Sequence, residues 1–107
     1  MPVRPIARLS RSDLADLNAF KAVERLRSFT KAAVELGIST SALSHSVRNL
    51  ETRLGVRLLN RTSRTVAPTE AGANLALRLE VGFREIGEAL DDINRMRDRP
   101  VGRLRLN

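Results

Sequence analysis

Short hydroxyl side chains and arginines are the residues of this chain whose types and spacing could do chemistry, and both concentrate between residues 28 and 68. Serines, threonines and the single histidine, His45, follow one side of a predicted helix. Their side chains can exchange hydrogen bonds with phosphate oxygens and base edges, and arginine offers a planar fork of donors to phosphate or guanine. This pattern favours binding of a polyanion over catalysis.

Reaction centres of other kinds find little support in the sequence. A lone histidine, without cysteine or a nearby pair of acids, is a poor metal ligand or catalytic base. No glycine-rich phosphate loop or nucleophile elbow is present, and Asp91 and Asp92 are neighbours on a predicted helix, where adjacent side chains diverge. We therefore expect no enzyme activity, no metal and no cofactor.

Charge is unevenly distributed along the chain. The 107 residues carry 19 Lys and Arg against 12 Asp and Glu, a net charge of +7, which points to nucleic acid or an anionic surface. Residues 69–98 hold seven acids, whereas residues 40–68 hold one acid, Glu51, and five arginines. The middle of the chain is therefore the predicted polyanion-binding face. Its arginines are Arg48, Arg53, Arg57, Arg61 and Arg64.

The predicted cellular location of the protein rests on features that the sequence lacks. There is no cysteine, and no apolar run is long enough for a signal peptide or a membrane span. We expect a cytoplasmic protein without membrane contact.

Apolar spacing predicts two helices ahead of the polar one. The first runs from about residue 12 to 26, with Ser12 or Asp13 as its N-cap. The second runs from about residue 29 to 36, with Ser28 as its N-cap. Both place small or apolar side chains on one face, which allows close packing of the helices.

The third predicted helix, about residues 40–54, has the two faces that a DNA-recognition helix needs. Its apolar stripe is spaced four, three, four and comprises Leu43, Val47, Leu50 and Leu54. Its opposite face carries Thr40, Ser41, Ser44, His45, Arg48 and Thr52. An ordinary amphipathic helix with a solvated polar face would explain this helix as well. The turn before it and the basic hairpin after it favour recognition.

Residues 57–67 predict two short strands around a turn near Thr62, with Leu58, Leu59 and Val66 facing the core. Arg61 and Arg64 are expected to project from the tip of this wing. There they could reach the DNA backbone or an adjacent minor groove. The alternative is solubilising charge on an exposed edge strand.

A long last helix is predicted from Thr69, its cap, to about residue 97. Its apolar residues repeat four, three, four, three, as in a short coiled-coil seam. We expect the first turns to pack on the chain's own domain through Ala71 and Leu75, and the rest to pair with a second copy. The alternative is that the whole stripe packs on its own domain. The predicted dimerisation residues are Leu79, Phe83, Ile86, Leu90 and Ile93.

The predicted fold is therefore mainly α. A winged helix-turn-helix, with a three-helix core and a short β-hairpin wing, occupies residues 12–68, and a long dimerisation linker helix occupies residues 69–98. Residues 1–11 are expected to be a flexible basic arm, because two prolines and three arginines occur there without periodicity.

Residues 28–72 read SFTKAAVELGISTSALSHSVRNLETRLGVRLLNRTSRTVAPTEAG. Through the joint pattern S-F-x-x-A-A, S-x-S-A-x-S, L-E-x-x-L-G, L-x-R-T and P-T-E-A-G, the chain resembles the N-terminal DNA-binding domain of LysR-type transcriptional regulators from about residue 13 to 97. The resemblance implies a winged helix-turn-helix and a dimerising linker helix. It also implies that residues 99–107 start a truncated effector-binding domain of the periplasmic-binding-protein type.

The resemblance also implies DNA contacts, position by position. On the recognition helix they are Thr40, Ser41, Ser44, His45 and Arg48; on the second helix they are Ser28, Thr30 and Lys31; on the wing they are Arg61, Arg64, Thr65 and Pro68. Four residues depart from the common pattern, in which glycine, glutamine, arginine and phenylalanine stand in place of Arg27, Thr40, His45 and Leu59. Thr40 and His45 would alter base readout.

Three hypotheses follow. The leading one is a sequence-specific, LysR-type bacterial transcription regulator that binds a pseudo-palindromic operator in double-stranded DNA as a homodimer. Its full-length form would bind a small-molecule effector through the missing domain and would contact RNA polymerase. The second is a non-specific architectural DNA-binding protein held by charge. The third is a protein-interaction module that uses the long helix.

Overall fold

The computed structural model describes residues 9–62 and 64–99. In chain order its elements are α1 (Arg11–Leu26), α2 (Phe29–Leu36), α3 (Thr40–Leu54), β1 (Leu59–Arg61), β2 (Val66–Pro68) and α4 (Glu70–Arg97). The predicted fold is confirmed: three helices, a two-stranded hairpin and a long helix. Most of the expected N-terminal arm, residues 1–8, and residues 100–107 of the expected further domain lie outside the described residues.

The start of α1 differs from the prediction. Its N-cap is Ser10, and neither Ser12 nor Asp13 takes that place. The Ser10 hydroxyl accepts a hydrogen bond from the Asp13 N–H at 3.0 Å, and the Asp13 carboxylate accepts one from the Ser10 N–H at 3.0 Å. This reciprocal capping box satisfies two backbone donors at once, so the helix begins one residue earlier, at Arg11.

The junction of α1 and α2 places a residue with a side chain in the left-handed region. Arg27 has φ 55° and ψ 34°, and its N–H donates to the Val23 carbonyl at 2.7 Å. Its Nε also donates to the Glu24 carbonyl at 2.9 Å. A left-handed backbone costs an L-residue roughly 1–2 kcal/mol. Glycine, which LysR-type sequences commonly have at this position, would therefore suit the left-handed backbone of Arg27 better than arginine does.

The bounds of α2 and α3 and the Ser28 cap are those that the sequence predicts. Ser28 Oγ accepts from the Lys31 N–H and Ser39 Oγ from the Ala42 N–H, each at 3.0 Å. Gly55 ends α3 with a left-handed backbone, φ 71°. Local signals thus fix both helices of the helix-turn-helix.

The core lies among α1, α2, α3 and the start of the hairpin. Of the predicted apolar stripe of α3, Leu43, Val47 and Leu50 are buried, whereas Leu54, the last residue of that helix, is 48% exposed. Burial of one such side chain contributes about 1.5–3 kcal/mol. The largest fully buried side chains are Phe20, Leu43, Leu58, Leu59, Val23 and Val47.

The hairpin is tied to α3 by one carboxylate. Glu51 Oε2 accepts from the N–H groups of Leu58 at 2.8 Å and Leu59 at 3.1 Å. The strands pair antiparallel, with Leu59 opposite Pro68. Leu58 and Leu59 are buried and Val66 is half-buried, as predicted. The single acid of the basic segment therefore orients the wing.

The first turn of α4 is locked to the residues that lead into the hairpin. The Thr69 hydroxyl accepts from the Gly72 N–H at 3.0 Å, which confirms Thr69 as the cap, and donates to the Arg57 carbonyl at 2.7 Å. A Cβ on Gly72 would lie 2.9 Å from the Leu58 carbonyl carbon and still closer to its oxygen. The close approach of helix and hairpin therefore requires glycine at this position.

The chain divides into two compact units, Met1–Ala76 and Leu77–Asn107. The first turns of α4 belong to the first unit, beyond the boundary at residue 68 that the sequence suggested. Gly72 and Ala76 are the buried residues of these turns, whereas the expected Ala71 and Leu75 are half-buried. Small side chains allow this part of the helix to pack tightly. Among the described residues, no helix has the length and apolar character to cross a membrane.

Candidate nucleic-acid interface

The polar side of α3 is open to solvent along its length. Thr40, Ser41, His45 and Arg48 are exposed, and Ser44 is half-buried. Leu43, Val47 and Leu50 on the other side are buried in the core, so the helix cannot turn this face inward. The face offers short donors and acceptors with one long cation, a set suited to phosphates and base edges.

The start of α2 contributes a second group of predicted contacts. Thr30 and Lys31 are exposed, and Ser28 is half-buried with its hydroxyl engaged as the helix cap. Backbone N–H groups at a helix N-terminus attract anions. Thr30 and Lys31 are therefore available to a ligand, whereas Ser28 acts on the backbone of its own helix.

Arg61 departs from its predicted position. It was expected to project from the wing tip, but its side chain folds back on the helix-turn-helix. Its Cζ lies 4.2 Å from the centroid of the Phe29 ring, and its Nη1 donates to Ser44 Oγ at 3.1 Å. A cation–π contact at an exposed site contributes about 0.5–1 kcal/mol. This one side chain joins α2, α3 and the wing, the three segments that carry the predicted contacts.

The wing tip is held by a cluster of threonine hydrogen bonds. Thr62 Oγ1 accepts from the Thr65 N–H at 2.9 Å and lies 3.0 Å from the Thr65 hydroxyl. Thr65 therefore helps to close the hairpin, and Pro68 is half-buried at the end of β2. Arg64 is exposed, as predicted for a residue that projects from the tip.

Arg53 does not belong to the basic face on which the sequence placed it. Its Nη1 lies 3.0 Å from Asp16 Oδ2, and its Nη2 lies 3.1 Å from Asp13 Oδ1. Asp16 is 5% exposed, so this ion pair satisfies a buried carboxylate. Arg53 fastens the end of α3 to α1, and its guanidinium is engaged by the carboxylates of Asp13 and Asp16.

Arg57 lies beside the exposed face of α3, as the charge pattern predicted, although it is not one of the positions at which the resemblance implies a DNA contact. Together with Arg48 and Arg61 it lines an open cleft between α3 and the residues that lead into β1. Its place in the arginine-rich segment was the available signal. The resemblance to LysR-type sequences did not mark its position.

The second unit, described by itself, carries the predicted dimerisation seam. Leu79 and Phe83 are half-buried. Ile86, Leu90 and Ile93 are 54%, 57% and 60% exposed. A regular row of exposed large apolar side chains marks a surface suited to a partner.

The arrangement of α2, a tight turn, α3 and a basic hairpin defines a winged helix-turn-helix. The chain belongs to the lysR family of bacterial regulatory helix-turn-helix proteins, whose characteristic sequence pattern matches residues 14–73.

Relatives and a solved structure extend the similarity. The chain is 50% identical to the uncharacterized HTH-type transcriptional regulator YcaN of Escherichia coli K12, over 91% of this chain and 32% of that protein. It is 45% identical to the HTH-type transcriptional regulator PgrR of the same organism, over 92% of this chain and 33% of that protein. The chain thus spans about a third of the length of these curated relatives.

Among solved structures, the BenM DNA-binding domain in complex with catB site 1 DNA matches with a TM-score of 0.75 at 33% identity. The match covers 81% of this chain and 97% of that chain. The match thus takes in nearly the whole of that DNA-binding domain.

Proposed function

We propose that this chain is the DNA-binding part of a bacterial transcriptional regulator and recognises a specific site in double-stranded DNA. One observation carries the proposal: α3 exposes hydroxyls, His45 and Arg48 while its apolar side is buried. The similarity to a domain solved with DNA supports it. The role is binding, without catalysis.

Within this proposal the exposed residues divide the work. Ser41, Ser44 and His45 contact base edges in the major groove, because short polar side chains on a recognition helix can reach donors and acceptors there. Arg64 contacts the backbone or the adjacent minor groove, and Lys31 and Arg57 add backbone attraction. The salt dependence of the affinity then comes mainly from the cations, whereas the sequence specificity comes mainly from α3.

We further propose that two copies pair through the seam on α4 and bind a pseudo-palindromic operator. Two recognition helices would then enter successive major grooves about 34 Å apart. The remaining two thirds of a full-length protein of the relatives' size would bind a small-molecule effector and contact RNA polymerase. Such a regulator would act in the cytoplasm, where bacterial DNA lies.

Selection from a random duplex pool tests the proposal. The chain is mixed with the pool at about 150 mM salt, a concentration at which charge-driven binding is already weakened, and the retained duplexes are sequenced. We expect enrichment of a two-fold symmetric site. Retention without sequence preference would instead support a non-specific architectural protein, and no retention would move the function to α4 as a protein-interaction module.

A matched control carries alanine at Thr40, Ser41, Ser44 and His45. None of these side chains is buried, so the variant should keep its fold, which circular dichroism can verify. Because only the base-reading atoms are removed, the control should still retain duplexes at low salt but should enrich no site.

A further inference from the structure

We propose that Arg61 is a positioning residue that directs the Ser44 hydroxyl and thereby sets which base atoms α3 prefers. The inference rests on the proposed function, in which Ser44 contacts a base. It replaces the role that the sequence suggested for Arg61, which was direct contact with DNA from the wing.

The geometry fixes Arg61 from both ends. Its backbone closes β1, opposite Val66 in the register of the hairpin. Its guanidinium lies over the Phe29 ring, with Cζ 4.2 Å from the centroid, while Nη1 lies 3.1 Å from Ser44 Oγ. The guanidinium therefore has a defined plane and a defined partner in the protein without DNA.

The chemistry of Arg61 and Ser44 determines which of them donates the hydrogen bond. A guanidinium has donors and no acceptor, so Arg61 donates and Ser44 Oγ accepts. One lone pair of the hydroxyl is then occupied and its hydrogen is left to donate elsewhere. The adjacent positive charge also disfavours approach of a base amino group, whose hydrogens carry partial positive charge. Ser44 is thereby biased toward acceptor atoms.

This bias separates base pairs in the major groove. Guanine O6 and N7, adenine N7 and thymine O4 are acceptors, whereas cytosine N4 and adenine N6 carry donor hydrogens. A serine without Arg61 could rotate to accept from an amino group as readily as it donates to a carbonyl. Loss of Arg61 should therefore broaden the preference at the one base pair that Ser44 contacts and leave other positions unchanged.

The experiment uses the selected duplex and, for each position of its site, the three duplexes that carry the other base pairs there. Ser44→Ala first identifies the base pair whose preference depends on Ser44. Binding of duplexes varied at that pair is then measured over a salt series for Arg61→Met, which removes charge and donors, and for Arg61→Lys, which keeps the charge. Arg64→Met is the matched control, because Arg64 lies exposed on the same hairpin.

We expect Arg61→Met to reduce the preference at that base pair by about tenfold, the size of one hydrogen bond, with an almost unchanged salt slope. Arg61→Lys should also lose preference, because a lysine cannot stack its donor plane on Phe29. Arg64→Met should weaken all duplexes alike and flatten the slope by about 0.9 for one phosphate. In a Ser44→Ala background, Arg61→Met should change the preference no further.

Three outcomes would overturn the inference. A uniform loss with a slope flattened by about 0.9 would make Arg61 a phosphate contact. If Arg61→Met keeps the preference at the base pair that Ser44 contacts, the hydrogen bond from Arg61 to Ser44 has no effect on base choice. The same follows if the effects of Ser44→Ala and Arg61→Met on that preference simply add in the double variant. Equal binding of all duplexes by the unmodified chain is a different failure, since it overturns the proposed function itself. Unfolding in urea checks that each variant folds, and Phe29→Leu repeats the test without changing Arg61.

Discussion

Arg27 bears a strained backbone for which the structure gives a simple remedy. With φ at 55°, it occupies a region that glycine adopts without penalty. Arg27→Gly should raise the free energy of unfolding by up to about 1 kcal/mol, which is the steric relief less the entropy that glycine loses; loss of the exposed hydrogen bond to the Glu24 carbonyl reduces the gain. Arg27→Ala keeps the Cβ and should give no gain. Urea denaturation measures the free energy of unfolding of both variants. Equal stability of the two would show that the backbone of Arg27 is not strained.

Arg53 is a second residue whose surroundings predict a measurable effect. Arg53→Met leaves the carboxylate of Asp16, 5% exposed, without its partner. We expect a loss of about 1–3 kcal/mol in the free energy of unfolding, the usual cost of an unsatisfied buried polar group. Arg48→Met, on the exposed face of the same helix, should stay within about 0.5 kcal/mol of the unmodified chain. A similar loss in both variants would contradict the structural role of Arg53.

At the residue scale, sequence reasoning succeeded where the signal is local and failed where it is distant. The predicted cap Ser28 acts on the N–H group of Lys31, three residues away, so both partners lie within one short stretch of sequence. The partners of Arg53 and Arg61 lie 37 and 17 positions away, so only the packed fold reveals that these arginines are engaged. The Ser10 cap was missed because Ser10 and Ser12 both precede the same apolar pattern.

At the element scale, the order and limits of the helices follow from periodicity, and the wing follows from its turn residues. The spacing of apolar residues does not reveal how closely two elements approach each other. By helix propensity alone Gly72 would only weaken α4, but in the structure it is the point at which that helix meets the Leu58 carbonyl. The contact joins residues that lie apart in the chain and involves no side chain on the glycine, so apolar periodicity does not reveal it, although Gly72 is the last residue of the P-T-E-A-G pattern.

Gly72→Ala tests this close approach. The added methyl group meets backbone atoms that cannot turn aside, so we expect a loss of at least about 1–3 kcal/mol in stability. Gly82→Ala is the matched control, since a Cβ there has no neighbour within 4 Å and better helix propensity should add up to about 1 kcal/mol. Thermal unfolding of the pair should move in opposite directions. A Gly72→Ala variant that is as stable as the unmodified chain, or more stable, would show that Gly72 is not a packing residue.

At the scale of the whole molecule, the exposed seam on α4 is the feature that calls for a partner. If two chains pair there, folding is coupled to association and the unfolding midpoint rises with protein concentration. Leu90→Arg should abolish that dependence, because it places like charges opposite each other in the pair. Leu77→Arg is the control: Leu77 is 66% exposed but lies outside the four-three repeat. Sedimentation of all three proteins measures the dimer, and a monomeric unmodified chain would contradict it.

If α3 distinguishes base sequences, the chain must bind its enriched duplex more tightly than a duplex of unrelated sequence, and the ratio of the two affinities measures this. The enriched duplex and a shuffled duplex of the same length and base composition are titrated with the chain at about 150 mM salt. Since both duplexes carry the same phosphates, charge alone gives equal affinities. We expect the enriched duplex to bind about 10³-fold tighter, or more, as is typical of specific DNA-binding proteins. A ratio near one would contradict it.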